Sequence, residues 1–381
     1  MNNLHTTLVV IQGSPLCNID CRYCYLPDRL SNRRISLSTV EKIAERLFES
    51  PFIEDEVTIV WHAGEPLVLP IDFYEDAFLL FQKHNINNVN IIWSLQTNGT
   101  LINEQWCEFF KRHSVRVGVS IDGPDYIHDA NRINRAGKGT FSKAFRGLEL
   151  MKKFGLRPGI ISVITEATLS YPEELWSFYL ESNVGHVSLN IEEVEGSNIE
   201  STMFVTNHEA ATKQFFKKLL RFRDAHKESP PLREFESVMK HLKSGVNYAR
   251  AQDNIPMAIL NFDCDGNVST FSPELLTARH EPYGDFILGN VYSNSLESLL
   301  QTDKFIRMNS EIQSGVQKCR STCSYFMFCG GGWPSNKIGE TGSFSISETK
   351  SCRLRVKTVV DATMDHLEDT VVNQSLNNTS F

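Results

Sequence analysis

Between Leu8 and Ile191 the chain alternates short β-branched runs with amphipathic stretches, a pattern few folds accept. Strands are expected at 8–11, 57–61, 90–95, 116–120, 159–164 and 186–191. Helices are expected between them, at 38–49, 71–84, 103–112, 141–154 and 172–182. Strand–helix repetition at this spacing is the signature of a parallel sheet. Right-handed crossovers then curl that sheet. Six units are too few for a standard eight-fold barrel, so an α/β fold built as a partial (β/α)6 barrel is expected. In parallel sheets, ligands bind beyond the carboxyl ends of the strands. Loops that follow strands are therefore where chemistry is sought.

The first such loop reads Ser14-Pro15-Leu16-Cys17-Asn18-Ile19-Asp20-Cys21-Arg22-Tyr23-Cys24-Tyr25. Iron–sulfur clusters are usually held by four thiolates. Cys17, Cys21 and Cys24 together can hold three irons of a cubane and leave the fourth open to a small molecule. A zinc knuckle is the plainer alternative, and it normally uses four protein ligands. Trp61-His62-Ala63-Gly64-Glu65-Pro66 follows the second strand, Gln96-Thr97-Asn98-Gly99 ends the third, and Ser120-Ile121-Asp122-Gly123 ends the fourth. His128-Asp129-Ala130-Asn131-Arg132 comes next. Each alone reads as a hydrogen-bonded turn. Repeated after successive strands, they read as one ligand pocket.

These motifs resemble the radical S-adenosylmethionine enzymes. The resemblance implies a [4Fe–4S] cluster on Cys17, Cys21 and Cys24, with S-adenosylmethionine bound at its open iron. One electron then releases a 5′-deoxyadenosyl radical that takes a hydrogen atom from substrate. By the same resemblance, the cofactor meets Tyr23, Gly64, Glu65, Gln96, Ser120 and Arg132. The Glu65 side chain would receive the ammonium, and Arg132 the carboxylate, for which a guanidinium is suited. Arg135 is the rival for that last role. Ala63 stands where the family has the first glycine of its GGEP motif.

A second group of cysteines lies near the other end: Cys319, Cys323, Cys329 (in Cys329-Gly330-Gly331-Gly332-Trp333) and Cys352. It resembles the SPASM extension of peptide-modifying radical enzymes, which commonly holds two auxiliary clusters. Here Phe271 and Trp333 stand where cysteines are expected. The resemblance thus implies one auxiliary [4Fe–4S] cluster, on Cys319, Cys323, Cys329 and Cys352. A structural zinc suits the same four thiolates. Cys107 and Cys264 read as ordinary thiols. The expected domains are a barrel over 1–205, a helical bridge over 206–256, and a cysteine-rich SPASM-like region with a terminal helix over 257–381. Residues 260–269 read as a hairpin turning at Asp265-Gly266-Asn267. From there to Cys352 the chain reads as loop-rich and dense in Cys and Gly.

Glu192 and Glu193, with Glu195, follow the sixth strand, and Glu274 sits in Phe271-Ser272-Pro273-Glu274. Charge runs are usually solvated faces. At this end of the sheet, Glu192, Glu193 and Glu274 are candidates for accepting a substrate proton.

The continuation of the cysteine loop as Tyr25-Leu26-Pro27-Asp28-Arg29, the Phe271–Leu275 segment and the two missing cysteines resemble the cyclophane-forming peptide maturases. That implies a ribosomally made precursor peptide, leader plus core, in which an aromatic ring is joined to the β-carbon of a nearby residue. An anaerobic sulfatase maturase, which makes formylglycine, or a thioether-forming maturase is the alternative. A zinc-stabilised peptide-binding protein is the alternative without catalysis. A low-potential donor such as flavodoxin or ferredoxin is expected as a partner. With no leader-binding segment ahead of Cys17, a leader is expected on the body of the chain or on a separate protein, for example as an added strand.

Bulk properties narrow the setting. The 381 residues carry a formal charge of −8, which argues against nucleic acid as main partner. No apolar run is long enough to span a bilayer, and Met1–His5 lacks the features of a signal peptide. The expectation is a cytoplasmic protein, whose nine cysteines are then reduced thiols or ligands rather than disulfides.

Overall fold

Val9, Val10 and Ile11 are buried on both faces of Leu8–Gln12 (β1), as a central parallel strand requires. In the computed structural model, which describes residues 4–244, 251–281 and 283–378, β1 pairs in parallel with Glu56–Trp61 (β2) in the register Leu8↔Thr58. Asn90–Thr97 (β3), Arg116–Ser120 (β4), Gly159–Ile164 (β5) and His186–Ile191 (β6) follow in sequence order, all parallel. The expected strands are therefore present, shifted by at most two residues at an end. Residues 1–3 of the opening segment and 245–250 of the expected bridge lie outside the described residues.

Helices Leu37–Glu49 (α1), Ile71–His84 (α2), Glu104–Arg112 (α3), Asp125–Asn131 (α4), Phe141–Lys153 (α5) and Pro172–Ser182 (α6) connect the strands. Ser36 caps α1 by accepting from the Thr39 amide at 3.0 Å. On α2, Tyr74, Ala77, Phe78 and Phe81 recur at helical spacing and are buried. Phe78 stacks on Trp93 of β3 at 3.8 Å, and Tyr74 meets Trp61 of β2 edge-on at 5.0 Å. Each such ring contributes roughly 1.5–3 kcal/mol by leaving water, so the helices are held to the sheet mainly by this apolar face.

The sheet does not end with the sixth unit. After Glu209–Ala225 (α7) and Arg233–Ser244 (α8), the strand Ile259–Asp263 (β7) returns to pair in parallel with β1, Leu8↔Ile259. Asn267–Thr270 (β8) folds back on β7 as the expected hairpin, and Gly289–Asn290 pairs with β8. Nine strands thus form one sheet among the described residues, with β1 in its interior. Three strands beyond residue 257, Ile259–Asp263, Asn267–Thr270 and Gly289–Asn290, continue the hydrogen-bonded sheet.

The stretch expected to be loop-rich contains a 20-residue helix, Asp303–Thr322. Its buried positions, Phe305, Met308, Ile312, Gly315 and Cys319, do follow helical spacing. They are masked in the sequence by polar neighbours and a mid-helix glycine. The terminal helical run begins at Lys350, passes through a wider π turn at Arg353–Lys357 and continues over Thr358–Asn378. No described helix is long and apolar enough to cross a membrane.

Candidate active site

The loop after β1 is shaped by backbone approach. Gly64 has φ +58°, and a Cβ there would lie 2.4 Å from the Ser14 carbonyl oxygen and 2.6 Å from that of Leu16. Only glycine lets the turn after β2 come this close to the cysteine loop. The Glu65 amide then donates to the Leu16 carbonyl at 2.8 Å. Ala63 also has positive φ, +69°, a strained setting for a residue with a side chain. Arg135 fixes the loop from outside, donating to the Cys17 carbonyl at 2.7 Å.

Cys17, Cys21 and Cys24 open onto a cavity of about 480 Å³ at the carboxyl end of the sheet. Burial pushes the Cys17 thiol up to about 12 and the Cys21 thiol up to about 11. Such thiols lose their protons only against a compensating cation, as a metal cluster provides. No three of these side chains, nor any other described His, Cys, Asp or Glu group, converge as a single metal ion would need. Thiolates spread over separate irons meet no such demand.

The structure places Tyr23, Gly64, Gln96, Ser120 and Arg132 on the wall of this cavity. Gln96 donates to Ser120 Oγ at 2.8 Å. Gly118 makes room for it, since a Cβ there would sit 2.0 Å from Gln96 Oε1. Arg132 pairs with buried Asp122 at 3.0 Å and points Nη1 at Cys21 Sγ, 3.8 Å away. Burial opposes its charge, but Asp122 and Tyr23 hold it protonated. The Tyr23 hydroxyl donates to the same Asp122. Asp122 is thus the hub that orients both Tyr23 and Arg132, a role the sequence reading did not assign.

Glu65 is placed differently from the expectation. It is fully buried, and its two carboxylate oxygens accept from Thr97 Oγ1 at 2.7 Å and from the amides of Leu67 and Asn98 at 2.9 and 2.8 Å. Its carboxyl is still pushed up to about 6 by burial. Glu65 braces the ends of β2 and β3, and His62, Ala63 and Gly64 line the cavity in its stead. Among the carboxylates after β6, Glu192 is also spoken for: Thr202 donates to it from both backbone and hydroxyl, the amide at 2.8 Å.

Glu193, Glu195 and Glu274 line the opposite wall with Asp253, Asn336, Trp333 and Arg355. Arg355 meets Glu193 at 3.4 Å and lies over the Trp333 ring at 4.2 Å. Asn336 Nδ2 donates to Glu195 Oε1 at 2.6 Å. Burial raises all four carboxyls; the neighbouring Glu274 adds to the rise of Glu195, and Glu274 itself is pushed up to about 7. Asp253, Asn336 and Arg355 were not legible as site residues. Asp253 sits in a short turn, and Arg355 lies in the π turn of a helix whose facing side only the fold reveals.

The thiols of the second set lie within electrostatic reach of one another. Cys319 ends the helix Asp303–Thr322, Cys323 caps it, and Cys329 precedes Gly330, Gly331 and Gly332, all at positive φ. Cys352 comes from the terminal helical run. Burial, with the neighbouring thiols, pushes Cys352 up to about 12. Lys337, only 4% exposed, points Nζ at Cys319 Sγ from 3.7 Å and also faces Cys329 and Cys352. A buried ammonium needs an anionic partner, and these thiols in their ionised form would provide one. Phe271 is fully buried and stacks on Phe305 at 6.2 Å.

Residues 11–179 match the family model of the Radical SAM superfamily. A protein of Synechocystis, itself uncharacterised, is 40% identical over 373 residues, covering 96% of this chain and 93% of that protein. The chain belongs to the radical SAM superfamily. As a radical SAM enzyme it uses a [4Fe–4S] cluster with S-adenosylmethionine, and the thiol triad and the cavity beside it fit that pair. The serine-type anaerobic sulfatase-maturating enzyme of Bacteroides thetaiotaomicron is 26% identical over 344 residues, covering 86% of this chain and 82% of that enzyme. The solved structure of native anSMEcpe with bound AdoMet and Cp18Cys peptide superposes with a TM-score of 0.79. It covers 97% of this radical SAM chain and 99% of its own at 23% identity, and shares its fold.

Proposed function

We propose that this radical SAM enzyme is a peptide maturase that oxidises the β-carbon of a residue in a peptide, in the manner of the anaerobic sulfatase-maturating enzymes it resembles along most of its length. One observation carries the reading: a single cavity joins the cysteine triad to a wall of buried carboxyls. Cys17, Cys21 and Cys24 would hold the cluster beside S-adenosylmethionine, with Tyr23, Gln96, Ser120 and Arg132 as the cofactor's contacts; Cys319, Cys323, Cys329 and Cys352 would hold one auxiliary cluster. When bound, these groups supply a 5′-deoxyadenosyl radical that removes one hydrogen atom from the substrate and an acceptor for the electron that must follow.

The chain's own residues supply the rest. Oxidising a seryl CH2OH to an aldehyde removes two electrons and two protons, and one proton leaves with the abstracted hydrogen atom. The hydroxyl proton is left, and Glu274 is the acceptor we assign. Its carboxyl, near 7, is partly ionised at neutral pH and takes a proton readily, as a general base should. Glu193 is neutralised by Arg355, and Glu192 is occupied by Thr202. The buried walls exclude water from the reacting carbon.

Joining an aromatic ring to a β-carbon, the cyclophane reaction, is the second reading. Phe271 favours it: a stacked core ring fills a position where a two-cluster maturase has a ligand. The same Glu274 would take the ring proton. The test is anaerobic co-expression with a small peptide encoded beside the enzyme, followed by tandem mass spectrometry. Formylglycine predicts loss of two hydrogens at serine, normal backbone fragmentation and reaction with a carbonyl reagent. Two hydrogens lost without a carbonyl, and with missing fragments between an aromatic residue and its neighbour, transfers the assignment to the cyclophane. An unchanged peptide, with deoxyadenosine formed regardless, refutes both.

A further inference from the structure

The carboxyl wall is out of balance. Glu193, Glu195, Asp253 and Glu274 face one guanidinium, Arg355, which Glu193 already engages at 3.4 Å. The other cations on the cavity wall are committed elsewhere, Arg29 to Asp20 at 2.8 Å and Arg132 to Asp122 at 3.0 Å. His62 is held neutral by burial, its imidazole pushed down to about 4. Beside the surplus carboxyls stands a second, independent feature. Asn336 is 1% exposed and lines the same cavity, yet its Oδ1 has no hydrogen-bond partner among the described residues. A buried amide oxygen without a donor is costly, and a native site keeps such an atom when something else fills it.

The missing partner must donate. Carboxylate and amide oxygens are acceptors, and Asn336 has already turned its Nδ2 toward Glu195. The wall also adjoins a second cavity of about 260 Å³, which shares Glu195, Glu274 and Ser335 with the first and is lined as well by Arg279 and His280. A peptide strand lying in that passage would present a side chain to the shared wall.

We infer that the wall of Glu195, Glu274 and Asn336 is a specificity subsite for a cationic side chain, lysine or arginine, carried by the peptide substrate next to the residue that is modified. This rests on the peptide-maturase reading and adds the chemical class of the substrate sequence. A docked ammonium or guanidinium supplies several donors at once, so it satisfies Asn336 Oδ1 and the surplus carboxyls together. It also keeps Glu195 and Glu274 ionised, which leaves Glu274 ready to accept the substrate's proton. Recognition and proton acceptance then reinforce one another. A peptide lacking the cation leaves the two carboxyls less ionised and gives Asn336 Oδ1 no new donor.

The test reads binding, apart from chemistry. Anaerobically reconstituted holoenzyme with S-adenosylmethionine is immobilised and offered a defined pool of seven-residue peptides, acetylated and amidated at their ends. The positions flanking a central serine or tyrosine are varied over lysine, arginine, norleucine, glutamine and glutamate. Mass spectrometry of the retained fraction should show lysine or arginine peptides enriched about tenfold or more over norleucine ones, as expected for a charge pair formed out of water. Glu195→Gln and Glu274→Gln, both near-isosteric, should each abolish most of that enrichment, whereas Glu108→Gln on the exposed face of α3 keeps it. No preference for cationic peptides, or a preference that survives both cavity variants, overturns the inference. Failure of the peptide-maturase reading looks different: cationic peptides would be retained, but no peptide would ever be modified.

Discussion

Gly64 shows how one missing side chain decides whether the site exists. A methyl group there would press on two backbone carbonyl oxygens, neither of which has a flexible side chain to move aside. Gly64→Ala should therefore cost about 1–3 kcal/mol and displace the Cys17 loop. We expect a lower melting temperature together with iron at the first cluster reduced to less than half, measured by iron analysis and electron paramagnetic resonance. Unchanged iron would mean that the close approach does not matter. Glu274 makes a second residue-level prediction. Its folded-state carboxyl lies above its ordinary value because burial disfavours the charge. The protonated form is thus the better tolerated one in the folded protein. Its contribution to stability is fully present below about 4.5 and is lost as pH rises through about 7. Denaturant unfolding across that window should show wild type losing stability with pH more steeply than Glu274→Gln. Equal slopes would contradict the assigned shift.

The helix Asp303–Thr322 carries the other lesson about what a sequence shows. Its five buried positions keep helical spacing, but one of them is Gly315, and the surrounding Asn, Ser, Gln and Lys residues read as loop. The glycine is there for contact. A Cβ at Gly315 would lie 2.2 Å from the Phe344 carbonyl oxygen and 3.0 Å from Lys337 Nζ, beside the Cys319 thiol. Alanine gains about 1 kcal/mol of helix propensity over glycine. That gain is smaller than the cost of forcing a backbone carbonyl away, so Gly315→Ala should destabilise the protein and loosen the second thiol set. Urea unfolding settles the sign. The parallel strands were legible because period and length agree, and three of the six matched residue for residue. The cavity lining by Cys17, Cys21, Cys24, Gln96, Ser120 and Arg132 was anticipated because each lies at or beyond the carboxyl end of the parallel strands. Asp122 was not, because its role shows only in its bonds to Tyr23 and Arg132; Asp253, Asn336 and Arg355 were not, because they reach the cavity from parts of the chain beyond the sixth strand. Glu65 was misjudged for a related reason. A carboxylate in a turn looks free in sequence, and its three donors come from two different loops.

Across the whole molecule, the two thiol sets and the carboxyl wall arise from distant parts of the chain, and the β1–β7 pairing is what sets the wall opposite the triad. Replacing Cys21 by Ala should abolish deoxyadenosine formation while leaving the second thiol set able to bind iron, read as a residual cluster signal. Retained deoxyadenosine would sink the triad assignment. The central claim is that one cavity joins radical generation to proton removal by Glu274. Its most direct test is the ratio of modified peptide to deoxyadenosine, measured anaerobically with S-adenosylmethionine and reductant for wild type and Glu274→Gln. The account predicts a ratio near one for wild type. For Glu274→Gln it predicts deoxyadenosine still formed but modified peptide reduced by about 10²–10⁴-fold, the usual worth of a general base. An unchanged ratio in Glu274→Gln would contradict it.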